Sequence, residues 1–143
     1  MKKTALLAVA GLAALLVTAV ALAAPQGMGW SAKLTVAQEV PKQAVKNAKA
    51  KGSFHATLAG NTLKWRLTFA RLTGPATAAH IHMGAMGKAG AVVVPLCGPC
   101  KSGVSGTAKL TKALERAATK HKLYVNVHTA KNPGGEIRGQ IAP

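Results

Sequence analysis

Leu63, Trp65, Leu67 and Phe69 alternate with Lys64, Arg66 and Thr68, the clearest period-two pattern in the chain. A β-strand sends successive side chains to opposite faces, so this run predicts a strand with one apolar and one solvated face. Just before it, Phe54, Ala56 and Leu58 alternate with Ser53, His55 and Thr57, and Gly60-Asn61 punctuates the two runs. Strand, turn and strand in that order predict a β-hairpin over 52–72. A weaker alternation, Leu34 and Val36 against Lys33 and Thr35, predicts a first strand over 32–40. Polar, basic residues follow over 41–51 and predict a loop.

Beyond Gly74-Pro75 the run Ala79-His80-Ile81-His82-Met83 predicts a strand over 76–83. Its period puts His80 and His82 on one face and Ala79, Ile81 and Met83 on the other. Residues 84–90 hold three glycines and predict a flexible loop. The apolar run 91–96 predicts a buried strand, and 104–110 another. Ala113, Leu114, Ala117 and Ala118 recur at helical spacing behind Thr111, which predicts one short capped helix over 111–120. In Tyr124-Val125-Asn126-Val127-His128 the valines oppose Tyr124, Asn126 and His128, which predicts a strand over 122–128. Asn132-Pro133-Gly134-Gly135 predicts a turn before a closing strand over 136–141. Short strands at this spacing predict an all-β fold, an antiparallel sandwich or small barrel with one short helix.

The N-terminus breaks the pattern. Lys2 and Lys3 precede an apolar stretch over 5–23 that ends in Ala21-Leu22-Ala23. This is the form of a secretory signal peptide, 1–23, cleaved after Ala23; the alternative is an uncleaved membrane span. Residues 24–31 then form a flexible leader to a single domain over 32–143. The chain carries 19 Lys and Arg against 3 acidic residues, Glu39, Glu115 and Glu136, with no Asp, for a net charge of +16. That balance draws polyanions. For an exported, periplasmic or secreted protein the expected partner is another protein or an anionic envelope polymer, not nucleic acid. There is no nucleophile–base pair and no phosphate-cradling loop, and so few carboxylates leave little room for acid–base catalysis. The expectation is a non-enzymatic binding module.

The run Ala79-His80-Ile81-His82, the Gly-rich loop, Val92-Val93-Val94-Pro95-Leu96, Tyr124-Val125-Asn126-Val127-His128-Thr129 and Asn132-Pro133-Gly134-Gly135-Glu136-Ile137-Arg138-Gly139-Gln140 together resemble the CHRD domain. That family is named after chordin and occurs in many exported bacterial proteins. The resemblance covers about 33–141. Met83, standing between His82 and Gly84, departs from the family's usual passage from histidine to glycine. The resemblance implies an immunoglobulin-like sandwich. In animal chordins the domain belongs to secreted growth-factor antagonists; for bacterial members it implies no established reaction.

Candidate chemistry centres on the histidines. His80, His82 and His128 are candidate ligands for copper or zinc, since a His-x-His pair on a strand offers two imidazoles on one side. Cu/Zn superoxide dismutase carries a His-x-His strand pair too, an analogy of local pattern only. The alternative is a packed polar cluster in which these rings bond to backbone and to Glu136. Glu136 either orients a histidine or pairs with Arg138 two residues on; Tyr124 and Asn126 share the histidine face as supporting residues. Cys97-Gly98-Pro99-Cys100 matches a redox motif, but loop composition follows it, so a disulfide is expected, with soft-metal ligation and redox catalysis as alternatives. Met83 and Met86 stand near the histidines, where they would suit copper(I) or simply fill space. His55 and His121 look like ordinary surface residues.

Overall fold

Lys51–Ala59 (β2) and Thr62–Ala70 (β3) form the predicted hairpin in a computed structural model that describes residues 27–45 and 48–143. The expected signal segment, 1–23, lies outside the described residues. The other elements are Met28–Thr35 (β1), Ala76–Met83 (β4), Val92–Cys97 (β5), Val104–Lys109 (β6), the helix Lys112–Thr119 (α1), Leu123–Thr129 (β7) and Asn132–Gln140 (β8). Thr111 caps α1 as predicted, its hydroxyl accepting from the Leu114 amide at 3.3 Å. Among the described residues no helix is long and apolar enough to cross a membrane.

All eight strands join one antiparallel sheet in the order β5-β4-β7-β8-β1-β2-β3-β6. Its two edge strands, β5 and β6, are consecutive in sequence. The connection from Cys97 to Val104 can reach at most ~25 Å. A flat eight-stranded sheet would hold its edges ~34 Å apart. The sheet therefore curls into a nearly closed barrel or sandwich. The apolar faces line its inside: Leu34, Phe54, Leu63, Leu67, Ile81, Val125, Val127 and Ile137 are fully buried in one cluster. Each such side chain contributes ~1.5–3 kcal/mol by leaving water.

Four expectations need correction. The run 91–96, expected as a buried strand, forms the edge strand β5, in which only Val94 is buried and Val92 is 49 % exposed. Trp30, placed in a leader over 24–31, is only 3 % exposed within β1, where Cα pairing to Ala56 carries it into the core. The first strand stops at Thr35 rather than running to residue 40, because Val36–Gln38 turns as a 3-10 helix. Gln38 Nε2 ties that turn back to the Lys33 carbonyl at 2.8 Å. The reversal between the last two strands falls at Ala130-Lys131, with Thr129 paired to Asn132. The Asn132–Gly135 stretch is thus the irregular beginning of β8 and not the turn.

Candidate functional site

β7 is buried along its whole length, so both of its faces are covered. Val125 and Val127 enter the apolar core. On the opposite face, Cα pairing aligns His82 with Tyr124 and Gln140, His80 with Asn126 and Arg138, and Ala78 with His128. The outer face of β4-β7-β8 is therefore a small polar core, roofed by residues 84–91 and by the segment after β1. Register shifts in the β4–β5 pairing fall next to His80 and His82, where irregularity redirects side chains.

The three histidines converge as the strand period predicts: one nitrogen from each of His80, His82 and His128 lies within 4.8 Å of the others. His80 Nδ1 is 3.1 Å from His128 Nε2. A carbonyl can only accept, so two tautomers follow from the backbone. His128 Nδ1–H donates to the Pro133 carbonyl at 2.9 Å, and His82 Nδ1–H to the Gly90 carbonyl at 3.0 Å. Both Nε2 atoms then carry lone pairs. That of His82 is buried and has no hydrogen-bond partner. In metal-free protein, His80 donates to His128.

Burial is the leading cause that holds all three histidine pKa values below the ordinary value, reinforced at His80 by its two histidine neighbours and at His82 by Arg138. The rings are therefore neutral near pH 7, the form that ligates metals. A tetrahedral ion with ~2.1 Å bonds would hold donors ~3.4 Å apart. The His80–His128 pair, at 3.1 Å, is close to that spacing, and a pair at 4.8 Å would close by about 1.4 Å on binding the ion. The described residues place no carboxylate in the group.

The supporting residues act differently from expectation. Glu136 neither pairs with Arg138 nor touches a histidine. It is fully buried and accepts from the Thr73 amide (2.6 Å), the Thr73 and Thr129 hydroxyls (2.6 and 2.7 Å) and Asn132 Nδ2 (3.0 Å). Burial alone would raise its pKa; these hydrogen bonds outweigh it and hold the carboxyl below its ordinary value. Arg138 lies 3.5 Å over the Tyr124 ring, and Tyr124 stacks on His82 with centroids 4.8 Å apart. Arg138 Nη2 also donates to the Ala85 and Lys88 carbonyls at 3.1 and 2.9 Å. Together with the Gly90 amide donating to the Tyr124 hydroxyl at 3.1 Å, these bonds strap the loop expected to be flexible.

Glu39 is the residue that pattern reading missed. It is fully buried, and Asn126 Nδ2 donates to it at 3.3 Å. Burial pushes its pKa up to about 7, against partial relief from Asn126 and Arg138. Gly135, at φ 127°, makes room for this pair: a Cβ there would stand 2.4 Å from Asn126 and 2.7 Å from Glu39. The run Val36–Glu39 carries no signal that the chain folds back over another strand.

The remaining candidates fall away from the cluster. Cys97 and Cys100 are joined in a disulfide with Cα atoms 5.3 Å apart, so neither is a free thiol. Met83 packs against the apolar core, while Met86 is 77 % exposed on the loop. His55 and His121 are exposed.

The CHRD domain model matches residues 30–141. No curated protein and no solved structure matches the chain. The match begins at Trp30, two residues into β1, and ends at Ile141, so it takes in the rest of β1, all of β2 to β8 and all three histidines. The chain belongs to the CHRD domain family.

Proposed function

We propose that this CHRD-domain protein is an exported, non-enzymatic binding module whose ligand is a copper or zinc ion held by His80, His82 and His128. The observation that carries the reading is the convergence of His80, His82 and His128, each with a ring nitrogen within 4.8 Å of the others, together with the buried, partnerless Nε2 of His82. A buried polar atom without a partner is costly and calls for one. The backbone carbonyls of Gly90 and Pro133 do for His82 and His128 what outer-shell acceptors do in metal sites: they fix ring orientation and raise basicity. An all-imidazole set favours copper(II) over zinc by intrinsic affinity, and three ligands leave a position open to solvent or a partner. The charged and apolar N-terminal stretch supports export.

Titration of the purified protein with copper(II) and zinc(II), read by calorimetry and by thermal shift, tests this. Ion at about 100 times its Kd should add about 2.7 kcal/mol of stability. His82→Ala should weaken binding by more than about a hundredfold, beyond what loss of an outer-shell partner does. Because His82 is buried, the half-exposed His80→Ala serves as the second variant. Wild-type affinity in both, with native folding, would remove the site. The mass of protein recovered from the exported fraction checks loss of residues 1–23.

A further inference from the structure

The outer face of β1-β2-β3-β6 carries a regular array of cations that the histidine site does not use. Strand register sorts its outward side chains into five successive rows. They run Ala59–Thr62–Lys109, Gly29–Thr57–Lys64–Thr107, Ser31–His55–Arg66–Ser105, Lys33–Ser53–Thr68 and Thr35–Lys51–Ala70. Each row contributes one Lys or Arg and no acid. Successive rows are two residues apart, so the rows step ~7 Å at a time over ~27 Å along the strands, with the cations distributed across β1, β2, β3 and β6. Between them stand hydroxyls.

The rest of the molecule leaves this charge uncompensated. Of the three acidic residues, Glu39 and Glu136 are fully buried and Glu115 is paired with Lys112 at 2.7 Å. The face is also hollowed. One depression of about 540 Å³ contains Lys33 and Lys51, another of about 480 Å³ contains Lys64 and Arg66, and the two share Ser31 and His55.

We infer that this face is a docking surface for a linear phosphate polymer lying along the strands. Charge complementarity sets the sign of the partner, and a ladder of single cations suits a chain bearing charge at regular intervals. Lys and Arg interleaved with Ser and Thr are the donors that phosphate oxygens take. Every Phe, Trp and Tyr ring of the chain is buried or partly buried, and His55 is the one exposed ring on this face, so the surface lacks the succession of stacking platforms that single-stranded nucleic acids use. The partner is therefore a phosphate chain without bases.

Long-chain inorganic polyphosphate is the probe, with polyglutamate and single-stranded DNA of matched charge as comparators. Two full-length variants lose equal charge: Lys33, Lys51, Lys64 and Arg66 to Gln on the face, and Lys101, Lys120, Lys122 and Lys131 to Gln elsewhere. All eight positions are exposed, so both variants should fold as wild type, checked by circular dichroism. The face variant should bind polyphosphate at least about tenfold more weakly near physiological salt, and its log–log salt slope should fall by about 3. The control variant should stay within about threefold of wild type, with the long-range field alone affected. Equal losses in the two variants would mean undirected attraction and overturn the proposal. Tighter binding of polyglutamate, or of DNA, than of polyphosphate would overturn the choice of partner.

Discussion

His80 Nδ1 and His128 Nε2 approach to 3.1 Å although 48 positions separate the residues in sequence. Neighbouring strands explain the meeting. β4 and β7 pair antiparallel with Ala78 opposite His128, so His80 stands one pleat along from His128 on the same face. Two neutral rings hold this contact by one proton. An entering ion would take the same space by displacing that proton.

Gly90 is the weakest point in this arrangement. A Cβ there would lie 1.6 Å from the Met83 carbonyl oxygen, closer than any rotation can relieve. Gly90→Ala should therefore push the loop off β4. The expected cost is about 1–3 kcal/mol by denaturant unfolding, as for other overpacked sites. The Gly90 carbonyl is also the acceptor for His82 Nδ1–H. Metal affinity in the same variant should fall about 10–100-fold, the usual loss when an outer-shell partner goes. Unchanged affinity would show that this carbonyl does not orient the ring.

The strand pattern made the apolar half of the fold legible. Phe54, Leu63, Leu67, Val125 and Val127 point inward as their alternation requires, and the same alternation puts Tyr124, Asn126 and His128 beside His80 and His82. Period two cannot say what covers the polar face. Glu39 reaches Asn126 across 87 positions, and nothing in its local sequence marks that contact. Nor does alternation reveal that Glu136 is satisfied by Thr73, Thr129 and Asn132, since neutral donors leave no charge pattern to read. Gly and Pro at 133–135 looked like a reversal because the same residues serve irregular strands, and here they present the Pro133 carbonyl to His128.

Arg138 should behave as a strap and not as a generic charge. Its guanidinium lies over Tyr124 and its Nη2 reaches the Ala85 and Lys88 carbonyls. Arg138→Lys keeps the charge but lacks the planar fork, so it should recover little of the effect of Arg138→Met. Both should cost about 1–3 kcal/mol and speed amide exchange in the 85–90 loop. Wild-type exchange in Arg138→Lys would count against a geometric role.

Glu136 makes acid stability steep. Its folded pKa lies below the ordinary carboxyl value of 4.5. The stabilisation is thus fully present above the unfolded pKa and is lost as pH falls through the lower folded one, where the folded state must also take up the proton. Glu136→Gln replaces one carboxylate oxygen with an amide donor, which then faces either the Thr73 amide or the Thr73 and Thr129 hydroxyls with the Asn132 amide. It should cost roughly 3 kcal/mol at pH 7 and flatten the acid limb of the stability profile. A variant that loses stability in parallel with wild type from pH 5 to 2 would refute the assignment.

Glu39 should produce the opposite slope. Burial raises its folded pKa from 4.5 to about 7. Below pH 4.5 the group is protonated in both states and contributes nothing. Between there and about pH 7 the unfolded chain gives up the proton while the folded protein keeps it, so stability falls as pH rises; above pH 7 the penalty is complete and constant. Glu39→Gln has no proton to lose and keeps a carbonyl oxygen to accept from Asn126. The stability difference, variant minus wild type, should therefore grow in the variant's favour from pH 4.5 to pH 7 and level off beyond. The three histidines have lowered pKa values and impose the reverse dependence, with stability rising toward the ordinary histidine value, but they are present in both proteins and cancel in the difference. Urea unfolding of the pair at half-unit pH intervals would read that difference directly. A flat difference would mean that Glu39 ionises at its ordinary pKa despite its burial.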